Sequence, residues 1–509
     1  MSSVTRSSVR KTLSVGVIGA GPGGLALGVF LKKAGFDDFT IFDREDGVGG
    51  TWRINTYPGL ACDVKSHLYS YSFDLNAGWS RLWSAQPEIL EYFETCARRH
   101  ELGAHLTLRT EIVSARWDGA SRDWELRTAG GDTYRFDVVV SAVGMFTRPV
   151  MPDLVEEEAF TGVVMHTARW DPSADLTGAR VAVLDTGSTA AQLLPEVAKV
   201  AAKVYSVQRS PTWILPKPDR PYTDREKWMF AHIPLAKRVY RTRLWLRSER
   251  NISVIENGSD KTQEFTSIAT RVLEATVRDD TLRHTLTPTH PLGCKRLVFA
   301  TDYLQALTQP HVEVVSSAAR SLRARSLVTD DGTELDVDVV LCATGYAAAD
   351  YLGQIDVVGE GGALRDKWRD GAYAYLGMAV PGFPNFFMLY GPNTNVGSNS
   401  VIFILEAQAR YLVRALEYMR RRRKSYIAVR PQTMVEFIAR IDAWMAGTVW
   451  TTRCSNYFRA PNGRVVTQWP RSARAFWSMT RRFRAADYTF DASAHLPTIE
   501  VHTHTMADR

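Results

Sequence analysis

A chain of 509 residues, 45% of them apolar, is long enough for about two to four domains with ordinary cores. Its formal net charge of +7 suits an anionic partner, yet no nucleic-acid-binding motif accompanies it. No apolar run approaches the ~18 residues of a spanning helix, and Met1 to Thr12 is polar and basic without an apolar centre. Cys62, Cys96, Cys294, Cys342 and Cys454 are scattered with no close pair, which argues for a reducing compartment, so a cytoplasmic protein is expected.

Leu13 to Ile18 reads as a short buried strand that runs into Gly19-Ala-Gly21-Pro-Gly-Gly24 and an apolar-periodic helix to about Ala34. This is GxGxxG in its strand–turn–helix setting: Gly19 allows the tight turn, Gly21 a close approach to a pyrophosphate, and Gly24 tight packing of helix on strand. The next strand, Phe39 to Phe42, ends in Asp43, where a carboxylate can accept ribose hydroxyls. An acid here suits FAD, because it would repel a 2′-phosphate.

Gly49-Gly50-Thr51-Trp52, Tyr57-Pro58-Gly59 and Asp63 follow, then a packing helix over Gln86 to His100. Leu106–Leu108, Ile112–Trp117, Trp124–Arg127 and Tyr134–Val140 alternate around turn signals and predict a small antiparallel meander. Ser141-Ala-Val-Gly144 then leads into Phe160 to Asp171, whose pattern is FxGxxxHxxxWD. On their own, Val163–His166 read as a strand ending in a core histidine, and Asp63 as a turn cap.

Two patterns carry a resemblance. Residues 49–63 match [AG]GxWxxxx[FY]P[GM]xxxD at every specified position, and 160–171 match the linker fingerprint of flavin-dependent Baeyer–Villiger monooxygenases, within the flavin-containing monooxygenase superfamily. Heteroatom-oxidising relatives usually end the second pattern with another aromatic and no acid, so Trp170 and Asp171 favour the Baeyer–Villiger side. By resemblance His166 is a candidate hinge, Gly50, Trp52 and Tyr69 line the flavin, Val113 lies near the adenine, and Asp63 sits beside a catalytic arginine.

Arg180 to Leu184 begins a second nucleotide unit, followed by Asp185-Thr186-Gly187-Ser188-Thr189-Ala190 and a helix to about Lys199. The family pattern is GxGxx[GA], so Asp185 replaces the first glycine. A carboxylate ~4 Å from a pyrophosphate costs about 1 kcal/mol in water and about 4 at an effective dielectric of 20, roughly five- to thousand-fold in affinity. Arg209 ends the next strand, where the resemblance places a guanidinium on the 2′-phosphate of NADPH.

The stretch 213–290 reads as a helical insertion over the site. Arg225 to Arg250 is basic with interleaved Trp and Leu, which leaves peripheral membrane contact open. In Pro291-Leu-Gly-Cys-Lys295-Arg296 the family's Gly-x-Lys-Arg element assigns Lys295 to the nicotinamide dinucleotide and Arg296 to the chemistry. Asp338 to Leu341 leads into Ala343-Thr344-Gly345, and 381–393, ending in Asn393, resembles the stretch that closes around the isoalloxazine. A helix begins near Val401, and the basic run Arg420 to Lys424 reads as its solvated end. Asn456-Tyr457-Phe458 stand where relatives show Ser-Trp-Tyr. His502 and His504 lie in a polar tail, and no convincing metal-ligand spacing is present.

The resemblance spans roughly residues 13 to 490. It implies an α/β fold of two Rossmann-like dinucleotide-binding domains: residues 1–150 and 341–509 form a split FAD domain, and 151–340 the NADPH domain with its insertion. It implies that NADPH reduces FAD, O₂ adds at flavin C4a, and the peroxide attacks a ketone to give an ester or lactone. Arg296 would stabilise the negative charge and Asp63 would orient it. Two alternatives stay open: oxygenation of sulfur or nitrogen, and a flavin-binding protein with impaired NADPH use, motivated by Asp185. No motif encodes the ketone or the oligomeric state.

Overall fold

The computed structural model describes residues 13–490 apart from 353, 453 and 455; His502 and His504 lie outside these. The architecture is α/β, built on two five-stranded parallel sheets. In the first, the strand order is Phe386–Met388, Val138–Ser141, Val15–Ile18, Phe39–Phe42, Leu106–Thr107. In the second it is Val312–Val315, Lys203–Val207, Arg180–Leu184, Val339–Cys342, Val163–His166. Val15–Ile18, Val138–Ser141 and Val339–Cys342 are buried at every position, as strands covered on both faces must be. The chain leaves the first sheet after Ser141, builds the second, and returns with Met388 in register with Ser141.

The meander is smaller than the sequence pattern predicts. Ile112–Asp118, Asp123–Thr128 and Thr133–Phe136 do pair antiparallel. Leu106–Thr107 and Val138–Ser141 join the parallel sheet instead, beside Phe39–Phe42 and Val15–Ile18. Periodicity marks a strand but not its partner, and these partners lie far away in sequence.

The basic end of helix Val401–Arg422 is also more than a solvated tip. Arg420 donates to the carbonyls of Gly35 (2.9 Å) and Ala34 (3.0 Å) and lies over the Phe36 ring, so it satisfies the C-terminus of helix Pro22–Lys33. The insertion holds four helices, Asp224–His232, Ala236–Arg250, Asp260–Thr276 and Asp280–Leu286. The first starts with a capping box: Thr223 Oγ1 accepts from the Glu226 amide, and the Glu226 carboxylate accepts from the Thr223 amide. Among the described residues no helix is long and apolar enough to cross a membrane.

Helix Pro22–Lys33 can sit on its strand only because Gly24 has no side chain: a Cβ there would lie 2.0 Å from the Gly19 carbonyl oxygen. Gly24→Ala should therefore lose roughly 1–3 kcal/mol of stability, read as a lower thermal midpoint; an unchanged midpoint would contradict this packing.

Candidate functional site

Each parallel sheet ends in a tight turn that aims a helix N-terminus at the same cavity. In the first, Gly19 takes a left-handed φ of +109°. Asp43 Oδ2 accepts from the Ala20 amide at 2.6 Å and Oδ1 from the Glu45 amide at 2.9 Å, which fixes its carboxylate at the rim. Gly50 faces this turn so closely that a Cβ on it would lie 2.9 Å from the Gly21 Cα. Two bare backbones and the free amides of a helix start make a cradle for phosphate.

The second turn has the same shape with a different residue. Asp185 adopts φ +86°, in the region that favours glycine. Its Oδ1 accepts from the Thr186 amide at 2.7 Å, so it occupies a donor that an anion at this turn could use. Burial raises its carboxyl, opposed by the Thr186 amide and by Arg209 and Lys295. Lys295 Nζ donates to Ser210 Oγ (2.8 Å), Thr186 Oγ1 donates to the Ser210 carbonyl (3.1 Å), and Arg209 is exposed at the end of its strand. The cationic set expected for a phosphorylated dinucleotide is thus gathered around one acid.

Both turns open into one cavity of about 990 Å³. Asp63 and Arg296 meet on its wall: Asp63 Oδ2 accepts from Arg296 at 2.7 Å and 3.2 Å. Burial alone would raise the Asp63 carboxyl, but Arg296, with help from Lys217, holds it below the ordinary value. The same pairing raises Arg296 further, so its charge is permanent. Trp52 and Tyr69 line the cavity and are joined by an indole-to-hydroxyl bond of 2.9 Å. Ser188 Oγ, Ser398 Oγ and Gln468 Oε1 are buried cavity-lining atoms with no partner among the described residues, which fits a polar ligand among them.

Other expected site residues lie off the cavity surface. The Asn393 amide is buried and donates to the carbonyls of Val465 and Gln468, both at 3.0 Å; Asn395 lines the cavity beside it. Val113 lines a separate shallow recess, whereas its neighbours Thr110, Glu111 and Ile112 line the cavity. His166 Nδ1 accepts from the Ala168 amide and Nε2 donates to the Gly345 carbonyl at 3.1 Å, so it ties the linker to the Ala343-Thr344-Gly345 segment. Burial lowers its pKa and keeps it neutral. Trp170 packs on the core of the second unit, and Asp171 caps an exposed turn at Ser173.

Three contributors escaped the sequence reading. Gln192, on helix Ser188–Ala198, clasps Ala61 through both backbone groups (2.9 and 3.4 Å) and also receives the Tyr57 hydroxyl. Gly59 makes this approach possible, since a Cβ there would lie 2.2 Å from the Gln192 carbonyl oxygen; Pro58-Gly59 was the available signal. Tyr346 donates to Asn55 Oδ1 at 2.7 Å. Tyr457, noted only as a departure from relatives, lines the cavity with its phenol next to Arg296; burial raises that phenol and Arg296 opposes the rise.

The cysteines need a correction. Cys294 and Cys454, 160 residues apart, form a disulfide, with Cys62, Cys96 and Cys342 left as buried thiols. Sequence spacing hid the pair because the fold alone brings the Lys295-Arg296 loop against the Asn456-Tyr457 loop. Asn456 adds a second tie, its Nδ2 donating to the Cys294 carbonyl at 3.0 Å.

Residues 12–354 match the family described as FMO-like, flavin-binding monooxygenase-like. A Baeyer–Villiger monooxygenase of Pseudomonas aeruginosa is 37% identical over 98% of this chain and 94% of its own. One from Streptomyces coelicolor is 37% identical over 94% and 93%. Among solved structures, cyclohexanone monooxygenase from Rhodococcus sp. Phi1 bound to NADP+ superposes with a TM-score of 0.83 at 27% identity, covering 92% of this chain and 96% of that one. An oxidized steroid monooxygenase bound to NADP gives 0.82 at 26%, covering 94% and 99%.

A cross-link closing a loop of 160 residues restricts the unfolded chain by roughly 5 kcal/mol on the entropy model. Cys294→Ser should lower the thermal midpoint, and a thiol reductant should lower that of the parent but not of the variant. Identical melts in all four samples would remove the bridge from the account of this site.

Proposed function

The chain belongs to the flavin-binding monooxygenase-like family, and from that membership we propose an FAD-dependent, NADPH-driven Baeyer–Villiger monooxygenase that inserts one oxygen atom of O₂ beside a ketone carbonyl. The observation that carries this reading is the Asp63–Arg296 pair, set on the wall of one cavity into which both dinucleotide turns open. The relatives named Baeyer–Villiger monooxygenase support the reaction class.

The residues present fit the two dinucleotides. Gly19, Gly21, Gly24 and Gly50 form the first cradle with Asp43 at the ribose end, and Trp52 and Tyr69 wall the ring. Thr186, Gly187 and Ser188 form the second, with Arg209 and Lys295 for the phosphates. When bound, the reduced flavin supplies the activation of oxygen. Arg296, never deprotonated, stabilises the negative charge that gathers on oxygen as the carbonyl is attacked, and Asp63 fixes its direction. Tyr457 shares the guanidinium's surroundings. Asp63 is largely shielded from water, which strengthens its attraction to the guanidinium.

A panel of ketones, sulfides and amines tests the reaction: ester or lactone from a ketone is expected, and sulfoxide or N-oxide with no ester from any ketone would refute it. Arg296→Ala should keep its flavin, seen in visible absorption, yet lose about 10²–10³ in ester formation; undiminished product would reassign the role.

Asp185 favours a second reading, in which NADPH use is weakened by its carboxylate. Burial has raised that carboxyl, so its negative charge grows as pH rises through the raised pKa. The dissociation constant for NADPH should therefore increase with pH more steeply in the parent than in Asp185→Asn. Titrating both proteins across the pH range checks this; parallel curves would show that the acid does not act on the phosphates.

A further inference from the structure

One face of the helical insertion is left uncovered by the described residues. Among the described residues twelve large apolar side chains are exposed, and five of them, Trp228, Ile233, Leu235, Val239 and Leu246, fall within helices Asp224–His232 and Ala236–Arg250 or their short link. Scattered apolar exposure is normal on a protein surface, but this clustering is not. Trp228 is 58% exposed and Leu235 62%.

The helix spacing shows that the face is built. Leu235, Val239, Thr242 and Leu246 recur at helical intervals and all are exposed, with Arg238, Arg243 and Arg250 exposed alongside. The opposite side is anchored: Leu244 is buried, Trp245 packs on Phe403, and Arg241 donates to the Ser70 carbonyl at 3.2 Å. Leu235 is held at φ +65°, a strained conformation for a branched side chain, and this places it at the tip between the two helices.

Charge identifies the occupant. Residues 224–250 hold eight Lys and Arg against Asp224, Glu226 and Glu249, a net +5 of the whole chain's +7. Two of those acids are already engaged. Glu226 binds Arg220 and the Thr223 amide, and Glu249 accepts from Asn399 and from the amides of Ala473 and Arg474. Arg225, Arg238, Arg243 and Arg250 are in no ion pair among the described residues. A symmetric copy of the chain would set these cations against each other. A nucleic acid would find aliphatic side chains at four of the five apolar positions, where it needs stacking surfaces.

We propose that this face docks on an anionic phospholipid surface, with Trp228, Ile233, Leu235, Val239 and Leu246 entering the headgroup boundary and the flanking arginines meeting lipid phosphates. Apolar side chains and cations on one helix face match the two layers of that boundary.

The test is co-sedimentation of the purified flavin-loaded full chain with phosphatidylcholine vesicles, with and without a phosphatidylglycerol fraction. Binding to the anionic vesicles only, weakened by salt, is expected. Trp228→Ser with Leu235→Ser should reduce the partition coefficient at least about tenfold, and Arg238→Glu with Arg243→Glu by a similar factor. Activity on a water-soluble ketone should stay unchanged in both variants. No binding to either vesicle would overturn the proposal, as would equal binding by parent and variants. Concentration-dependent dimerisation that the apolar variant abolishes would instead assign the face to a second copy.

Discussion

The site depends on holding one carboxylate and one guanidinium together across 233 residues of chain. Burial alone would push the Asp63 carboxyl toward its neutral form, because removing a carboxylate from water costs far more than one hydrogen bond returns. Arg296 holds Asp63 below its ordinary value and so keeps it ionised, and Asp63 in turn raises and orients a guanidinium that is always charged. Lys217, itself pulled down by burial, faces the same carboxylate. This surplus of positive charge is what a reaction that gathers negative charge on oxygen requires.

The surroundings read as means of keeping that pair in register. Arg296 lies two residues after Cys294, and Tyr457 three residues after Cys454, so the disulfide ties the two loops close to the groups they present. On the other side, Asp63 follows a loop whose Ala61 is clasped by Gln192 of the second nucleotide unit. The carboxylate is positioned by one unit while resting on the other. His166 and Tyr346 bind the connecting segments together through Gly345 and Asn55.

The two dinucleotide turns show how one backbone shape can carry different chemistry. Gly19 and Asp185 both take positive φ where strand becomes helix. In both turns a carboxylate takes the next amide: Asp43, from the following strand, accepts from Ala20, whereas Asp185 accepts from Thr186 and so brings its own charge into the turn. Arg209 and Lys295 stand close enough to counter that charge, so the second turn is a balanced site and not simply a damaged one.

Local chemistry settled much of this in the sequence alone. Glycines in a strand–turn–helix order and an acid at the end of Phe39–Phe42 located the dinucleotide turns, while resemblance to the fingerprint ending in Asp63 and to the Gly-x-Lys-Arg element at Lys295-Arg296 singled out Asp63 and Arg296, because each pattern is short and its geometry is local. Tertiary structure decided what depends on distant partners. It moved Leu106–Thr107 and Val138–Ser141 into the parallel sheet, turned the Asn393 side chain away from the cavity, and brought Gln192 to Ala61. It also joined Cys294 to Cys454. The reason is physical: periodicity and turn chemistry record which face of an element is buried, whereas strand partners, disulfides and contacts between units depend on how elements far apart in the chain come to pack.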